Sequence, residues 1–161
     1  MPVVNSKWDA RFMRLAKEIS TWSKDPSSKI GAVITNDDRR ILSTGYNGFP
    51  RGIADTEERL NNKEEKYPRI VHGELNALLG ALYNGVSVKD ATLYVYGLPV
   101  CSDCTKSVIQ SGISRVVINM SALDNDKWGK QWEAISKPMF QEAGVSISYL
   151  NTEHWSFEDG K

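Results

Sequence analysis

The sequence predicts one three-layer α/β domain built on a mixed sheet of about five strands. Three observations carry this. Short β-branched runs alternate with helical apolar patterns through the second half, as parallel strands joined by crossover helices do. Two strand-like runs separated by Asn36-Asp37-Asp38 read as a hairpin ahead of them. The length of 161 residues, 40% hydrophobic and 25% charged, suits one domain with one core over residues 1–161.

Each element has its own signal. "DARFMRLAKEISTWS" places Phe12, Leu15, Ala16, Ile19 and Trp22 at helical spacing. "KIGAVIT" and "RILSTGYN" are the hairpin strands. "GFPRGIADTEERLNNKEEKYPR", rich in Gly, Pro and charge, reads as a long loop, of a length that is usually functional or disordered, with its "EERLNNKEEK" run a solvated face. A helix from about Gly73 to Tyr83 ends near Asn84-Gly85. "ATLYVYG" is a strand, and "SDCTKSVIQSG" a helix stopped by Gly112. "SRVVIN" is a strand, and "KWGKQWEAISKPMFQEAG" is mostly helical, bent or split by Pro138. "VSISYL" is the last strand, and the polar tail "NTEHWSFEDGK" is expected to fray.

Charge and composition exclude several classes. Lys plus Arg equals Asp plus Glu, 20 against 20, so a polyanionic partner such as nucleic acid is disfavoured. The N-terminal stretch lacks a signal-peptide core, and no segment reaches the apolar length of a membrane span. The 2 cysteines lie three positions apart, which rules out a disulfide framework and points to a reducing, cytoplasmic setting.

The chemistry-bearing residues stand at the starts of the two central helices. His72 begins one, and Cys101 and Cys104, spaced C-x-x-C, begin the next. A helix N-terminus favours thiolates, because its free N–H groups and dipole attract negative charge. In a βαβ-like unit both helix starts lie at one edge of the sheet, so an imidazole and two thiolates converge. That donor set suits Zn²⁺ and leaves a fourth tetrahedral position open. Glu74, two residues after His72, is a poor ligand but a well-placed proton carrier. Other readings stand beside this one: a thioredoxin-type redox pair, two buried small residues, or a structural zinc site. The last needs a fourth ligand, and the only other histidine is His154 in the tail.

H-x-E followed by C-x-x-C resembles the zinc-dependent nucleobase deaminase signature. Within the cytidine/deoxycytidylate deaminase superfamily, the chain is most similar to the deoxycytidylate (dCMP) deaminases. The likeness runs from about Ser23 to Leu150, through "SKDPSSKIGAVI", "GYNGFPRG", "KYPRIVHGELNAL", "ATLYVY" and "CSDCTKSVIQSGI". It departs from the family pattern at Val100, which separates Pro99 from Cys101, and at Gly73, where alanine is usual. The resemblance implies a cytidine-deaminase-like α/β/α sandwich and one zinc held by His72, Cys101 and Cys104. It implies Glu74 as the proton shuttle and Asn47 as the reader of the sugar hydroxyl.

The implied reaction converts dCMP to dUMP and ammonia. The 5′-phosphate needs a cation or a helix N-terminus, for which Arg115 and the stretch Lys127 to Lys130 are candidates. Many relatives are oligomers, often hexamers, activated by dCTP and inhibited by dTTP, with Mg²⁺ on the triphosphate. Gly48, Phe49, Pro50, Arg51 and Gly52 follow Asn47 directly and could cradle such an effector, with Lys24 or Lys29 adding charge. A tRNA adenosine deaminase would show a basic face, which the charge balance disfavours. A free-cytidine deaminase shares the zinc motif but fits "GYNGFPRG" and "KYPRIVHGE" less well. A zinc-bearing scaffold without turnover has no use for Glu74.

Overall fold

The computed structural model describes residues 6–152. His154 and the tail from 153 onward lie outside the described residues. Helix α1 (Lys7–Ser20) starts on an N-cap serine, Ser6, and is followed by β1 (Gly31–Thr35) and β2 (Ile41–Tyr46). Two short helices, α2 (Glu57–Asn61) and α3 (Lys63–Lys66), precede α4 (Gly73–Tyr83). Then come β3 (Thr92–Tyr96), α5 (Ser102–Gln110) and β4 (Arg115–Asn119). The chain closes with α6 (Asp126–Gln131), a π-helical turn at Trp132–Ser136, α7 (Lys137–Glu142) and β5 (Ser146–Leu150).

The five strands form one sheet in the order β2-β1-β3-β4-β5. β1 is antiparallel to both β2 and β3, while β3, β4 and β5 are parallel. Alternating side chains sort onto two faces, as the strand period of two requires. Val33, Tyr94, Val117 and Leu150 face α1 and meet Phe12, Met13, Ala16 and Ile19. Ala32, Ile34, Leu93, Val95, Val116 and Ile118 face the other way and pack with residues of α4, α5 and α7. This is the mixed α/β sandwich that the sequence predicts.

Two glycines let helices approach the sheet closely. A Cβ on Gly31 would lie 1.8 Å from the Ala16 carbonyl oxygen of α1. One on Gly45 would lie 2.3 Å from the Ala77 nitrogen of α4. The position of α4, and so of the residues at its start, depends on Gly45 having no side chain.

Three sequence expectations change. Trp22 lies beyond the end of α1 and is exposed, its ring edge-on to Tyr46 rather than in the core. The long loop contains α2 and α3, each capped by its own side chain, Thr56 and Asn62. The "EERLNNKEEK" run is not wholly solvated, because Leu60 and Lys66 are buried. The late helix is not split at Pro138: helical backbone runs on from Asp126 to Glu142, and a π-helical turn at Trp132–Ser136 directly precedes the proline's helix, α7.

Candidate active site

The ends of β2 and β3 and the start of β1 share one edge of the sheet, because Gly31 pairs with both Tyr46 and Tyr96. Segments leaving that edge build the pocket. Its walls include Ile30, Asn47, His72, Glu74, Pro99 and Cys101, with Lys66 and Trp128.

His72 is the N-cap residue of α4 and is extended, at φ −67° and ψ 153°. Glu74 is in the first helical turn. On a regular helix residues two apart diverge; the extended backbone at His72 removes that conflict, and both side chains reach one pocket. Cys101 is the N-cap of α5, and its sulfur accepts the Cys104 N–H at 3.5 Å. Cys104 follows one turn later and is buried. Gly73 passes close to β1's entry, since a Cβ there would sit 3.1 Å from the Ile30 carbonyl oxygen. Val100, the residue inserted before Cys101, is buried in the core on that side of the sheet.

The His72 Nδ1 atom lies 3.4 Å from both Cys101 Sγ and Cys104 Sγ. All three donor atoms fall within 4.8 Å of one another. A tetrahedral zinc, about 2.0–2.1 Å from nitrogen and about 2.3 Å from sulfur, sets N···S near 3.5 Å. The observed spacing fits that geometry. A lone Nδ1–H would serve one sulfur, not two.

Electrostatics point the same way. The bond from Cys104, reinforced by His72, pulls the Cys101 thiol down to about 4, against its burial. The Cys101 thiolate, together with burial and the Glu74 charge, pushes the Cys104 thiol up. Hydrogen bonding to Cys101 raises His72 despite its burial. One thiol of the pair thus ionises readily and the other resists, so ionising both needs a cation, and a dication neutralises both. Burial pushes the Glu74 carboxyl up to about 7, helped by the Cys101 charge.

Asn47 is buried in the pocket wall. Its Oδ1 accepts the Ile30 N–H at 2.9 Å, and its Nδ2 donates to the Ser28 carbonyl at 2.8 Å and to Asp25 Oδ2 at 3.3 Å. One Oδ1 lone pair is left without a hydrogen bond among the described residues.

Arg115 is not at the pocket, which corrects its candidacy as the phosphate ligand. It starts β4 level with Thr92, about four residues or 13 Å along the strand from the pocket edge. It forks onto Asp9 of α1, Nη1 to Oδ1 at 3.0 Å and Nη2 to Oδ2 at 2.8 Å. Asp9 also accepts the Tyr94 hydroxyl at 2.5 Å. Lys127 and Lys130 are exposed on α6, whereas Trp128 between them lines the pocket.

The glycine loop is tied down by backbone bonds. Gly48 exchanges both of its bonds with Val71, the residue before His72, at 3.1 and 2.8 Å. Pro50 to Ile53 is a turn closed by the Ile53 N–H, with Gly52 at φ 86°. The Arg51 guanidinium lies 4.3 Å above the Tyr83 ring. Lys24 pairs with Asp55 at 3.1 Å, and Lys29 donates to the Ser23 carbonyl. Phe49 sits between these anchors in the chain.

Sequence reasoning missed Asp25, Lys66 and Trp128 as pocket residues. Lys66 and Asp25 do stand within "KYPRIVHGELNAL" and "SKDPSSKIGAVI", the same segments that carry the resemblance.

The family model described as cytidine and deoxycytidylate deaminase zinc-binding region matches residues 6–120. The chain belongs to this family. It is 38% identical over 146 residues to an uncharacterized deaminase in the luxG 3′ region of Aliivibrio fischeri, covering 90% of this chain and 95% of that one. It is 36% identical over 149 residues to deoxycytidylate deaminase of Homo sapiens, covering 88% of this chain and 78% of the relative. The fold is that of the cyanophage S-TIM5 dCMP deaminase solved with dCMP and dUMP, at TM-score 0.67 and 23% identity, covering 87% and 94% of the two chains. The family's zinc-binding region coincides with the His72, Cys101 and Cys104 cluster.

Proposed function

We propose that the protein hydrolyses dCMP to dUMP and ammonia. The carrying observation is one pocket in which His72, Cys101 and Cys104 converge beside the buried Glu74. Zinc held by those three residues supplies Lewis-acid activation of water. Glu74 takes one proton from water and delivers it to N3 of the cytosine ring as the water oxygen bonds to C4. It then takes the second proton from that oxygen and gives it to the amino group, so the C4–N bond breaks, ammonia leaves and C4 becomes a carbonyl. A buried carboxyl beside the three metal-ligand candidates is placed to accept a proton and to release it again. Asn47, locked by Ile30, Ser28 and Asp25, offers its remaining lone pair to the sugar hydroxyl. The test is ammonia release from dCMP, deoxycytidine, dCTP and adenosine-containing RNA. The expected order puts dCMP far ahead; equal kcat/KM for dCMP and deoxycytidine overturns the assignment.

The same reading includes regulation by dCTP as activator and dTTP as inhibitor, with Mg²⁺ on the triphosphate, at Lys24, Lys29 and Gly48 to Gly52. Its support is the Gly48–Val71 bridge, a direct backbone link from that loop to the segment bearing His72. Coupling of this kind is typically about 1–3 kcal/mol and reciprocal in binding. It predicts a sigmoidal dCMP curve that becomes hyperbolic with dCTP. A homo-oligomer, as a hexamer, is supported by Leu79, Leu82 and Tyr83 exposed along α4. The paired free thiols fit a cytoplasmic location. Hyperbolic kinetics indifferent to both triphosphates would remove the regulatory part alone.

A further inference from the structure

A second polar cluster lines the same pocket, and the deaminase chemistry does not use it. Lys66, 4% exposed, ends α3. Its ammonium donates to Asp25 Oδ1 and to Ser27 Oγ, each at 3.1 Å. Two of its three N–H donors are thus placed; the ammonium also lies 5.6 Å from the ring of Tyr67, another pocket residue, and the third donor makes no hydrogen bond among the described residues. Asp25 is the counter-ion that lets this ammonium stay buried without a ligand. That carboxylate is itself engaged, since Oδ1 also accepts the Ser27 and Ser28 N–H groups and Oδ2 accepts Asn47. An incoming anion therefore meets donors there rather than a bare negative charge. Ser27 Oγ, an acceptor toward Lys66, still has its own hydrogen to give.

Several cations of the neighbouring segments have partners in the structure, and Lys127, on the exposed α6, lies over the Trp128 ring. Lys24 is on Asp55, Lys29 on the Ser23 carbonyl, Arg69 on Glu65 and Arg115 on Asp9. Among the described residues lining the pocket, Lys66 carries the only ammonium or guanidinium. Asn47 donates to the same Asp25 carboxylate that holds Lys66, so a nucleotide whose sugar lies at Asn47 has this ammonium beside it.

We propose that Lys66 is the specificity-determining cation, which binds the 5′-phosphate of a pyrimidine nucleoside monophosphate while Asp25 and Ser27 hold it in place. The inference rests on the deaminase reading for the orientation of the ring. A charge-assisted hydrogen bond to phosphate makes the site discriminate a nucleotide from its nucleoside by about 10- to 150-fold.

The test uses zinc-loaded wild type, Lys66→Met and Lys66→Arg. Turnover is followed with dCMP and deoxycytidine, and binding of dUMP and deoxyuridine by calorimetry. Lys66→Met should lower the ratio of kcat/KM for dCMP to that for deoxycytidine by about 10- to 150-fold, mostly through KM, and Lys66→Arg should restore part of it. Zinc content by elemental analysis should not change. If Lys66→Met does not fold because Asp25 is left unpaired, Asp25→Asn/Lys66→Met removes both charges and the same ratio is read. An unchanged ratio, with both substrates affected alike or neither affected, overturns the proposal. Wild type that deaminates neither substrate, yet binds dUMP above deoxyuridine through Lys66, would sink the deaminase reading and keep this one. Equal binding of dUMP and deoxyuridine by wild type would overturn this one.

Discussion

Arg115→Met separates a structural arginine from a phosphate ligand. The substitution removes both guanidinium bonds to Asp9, at 2.8 and 3.0 Å, and the 3.3 Å bond to Ser148. Asp9 then keeps only the Tyr94 hydroxyl, in a site where its side chain is 7% exposed. Breaking a buried ion pair costs about 3–5 kcal/mol. The Arg115 side chain is 27% exposed, so water reaches the vacated space and lowers the cost, to about 2–4 kcal/mol. For a chain of this length each kcal/mol is worth roughly 3 °C, so the melting temperature should fall by about 6–12 °C at fixed protein concentration. The pH dependence has a definite sign. Burial alone would raise the Asp9 carboxyl, but the bonds to Arg115 and Tyr94 outweigh it and hold it below its ordinary value. Its stabilisation is therefore present above the unfolded pKa of about 3.9 and is lost as pH falls through the lower folded value. The gap between wild type and Arg115→Met should be full at pH 7 and shrink below about pH 4. Asp9→Asn/Arg115→Met should cost less than the two single changes added together, as groups in contact do. KM for dCMP should not move. A variant that melts with wild type but needs tenfold more dCMP would refute the argument and return Arg115 to the phosphate.

Three further outcomes are expected. Glu74→Gln should retain zinc and nucleotide binding but lose turnover on the order of 10²–10⁴-fold; a near wild-type rate would show that the proton travels another way. Cys101→Ser and Cys104→Ser should each lose metal by elemental analysis together with activity, and the active protein should carry about one zinc per chain. Gly45→Ala should destabilise by about 1–3 kcal/mol, because the new methyl meets the α4 backbone at 2.3 Å. It should also depress activity, since α4 carries His72 and Glu74; a fully active, equally stable variant would contradict the packing described here.

The metal cluster was legible in the sequence because its chemistry is written in short local spacings. H-x-E and C-x-x-C each mark a helix start, and helix starts after strands gather at one sheet edge for topological reasons. The irregularity beside Pro138, a π-helical turn rather than a break, and the end of α4 near Asn84 were legible for the same reason, since a missing N–H and a helix terminator act within one turn. Trp22 shows where periodicity overreached: it keeps helical spacing past the residue at which the helix stops.

Which charges are buried is decided only in three dimensions. Lys66 stands in a run of acids and lysines that looks solvated, and its partner Asp25 is 41 residues away. Only the packed loop takes that ammonium out of water, and burial is what turns an ordinary surface lysine into part of a pocket wall. Arg115 shows the converse. Its charge suited a phosphate, but its place at the start of β4, on the face covered by α1, commits it to Asp9. The chain by itself brought His72, Cys101, Cys104 and Glu74 forward as the candidate set, because local spacing fixes where the two helices start. The fold alone chose which cation faces the pocket, because a strand's end and face are set by pairing with residues far away in the sequence.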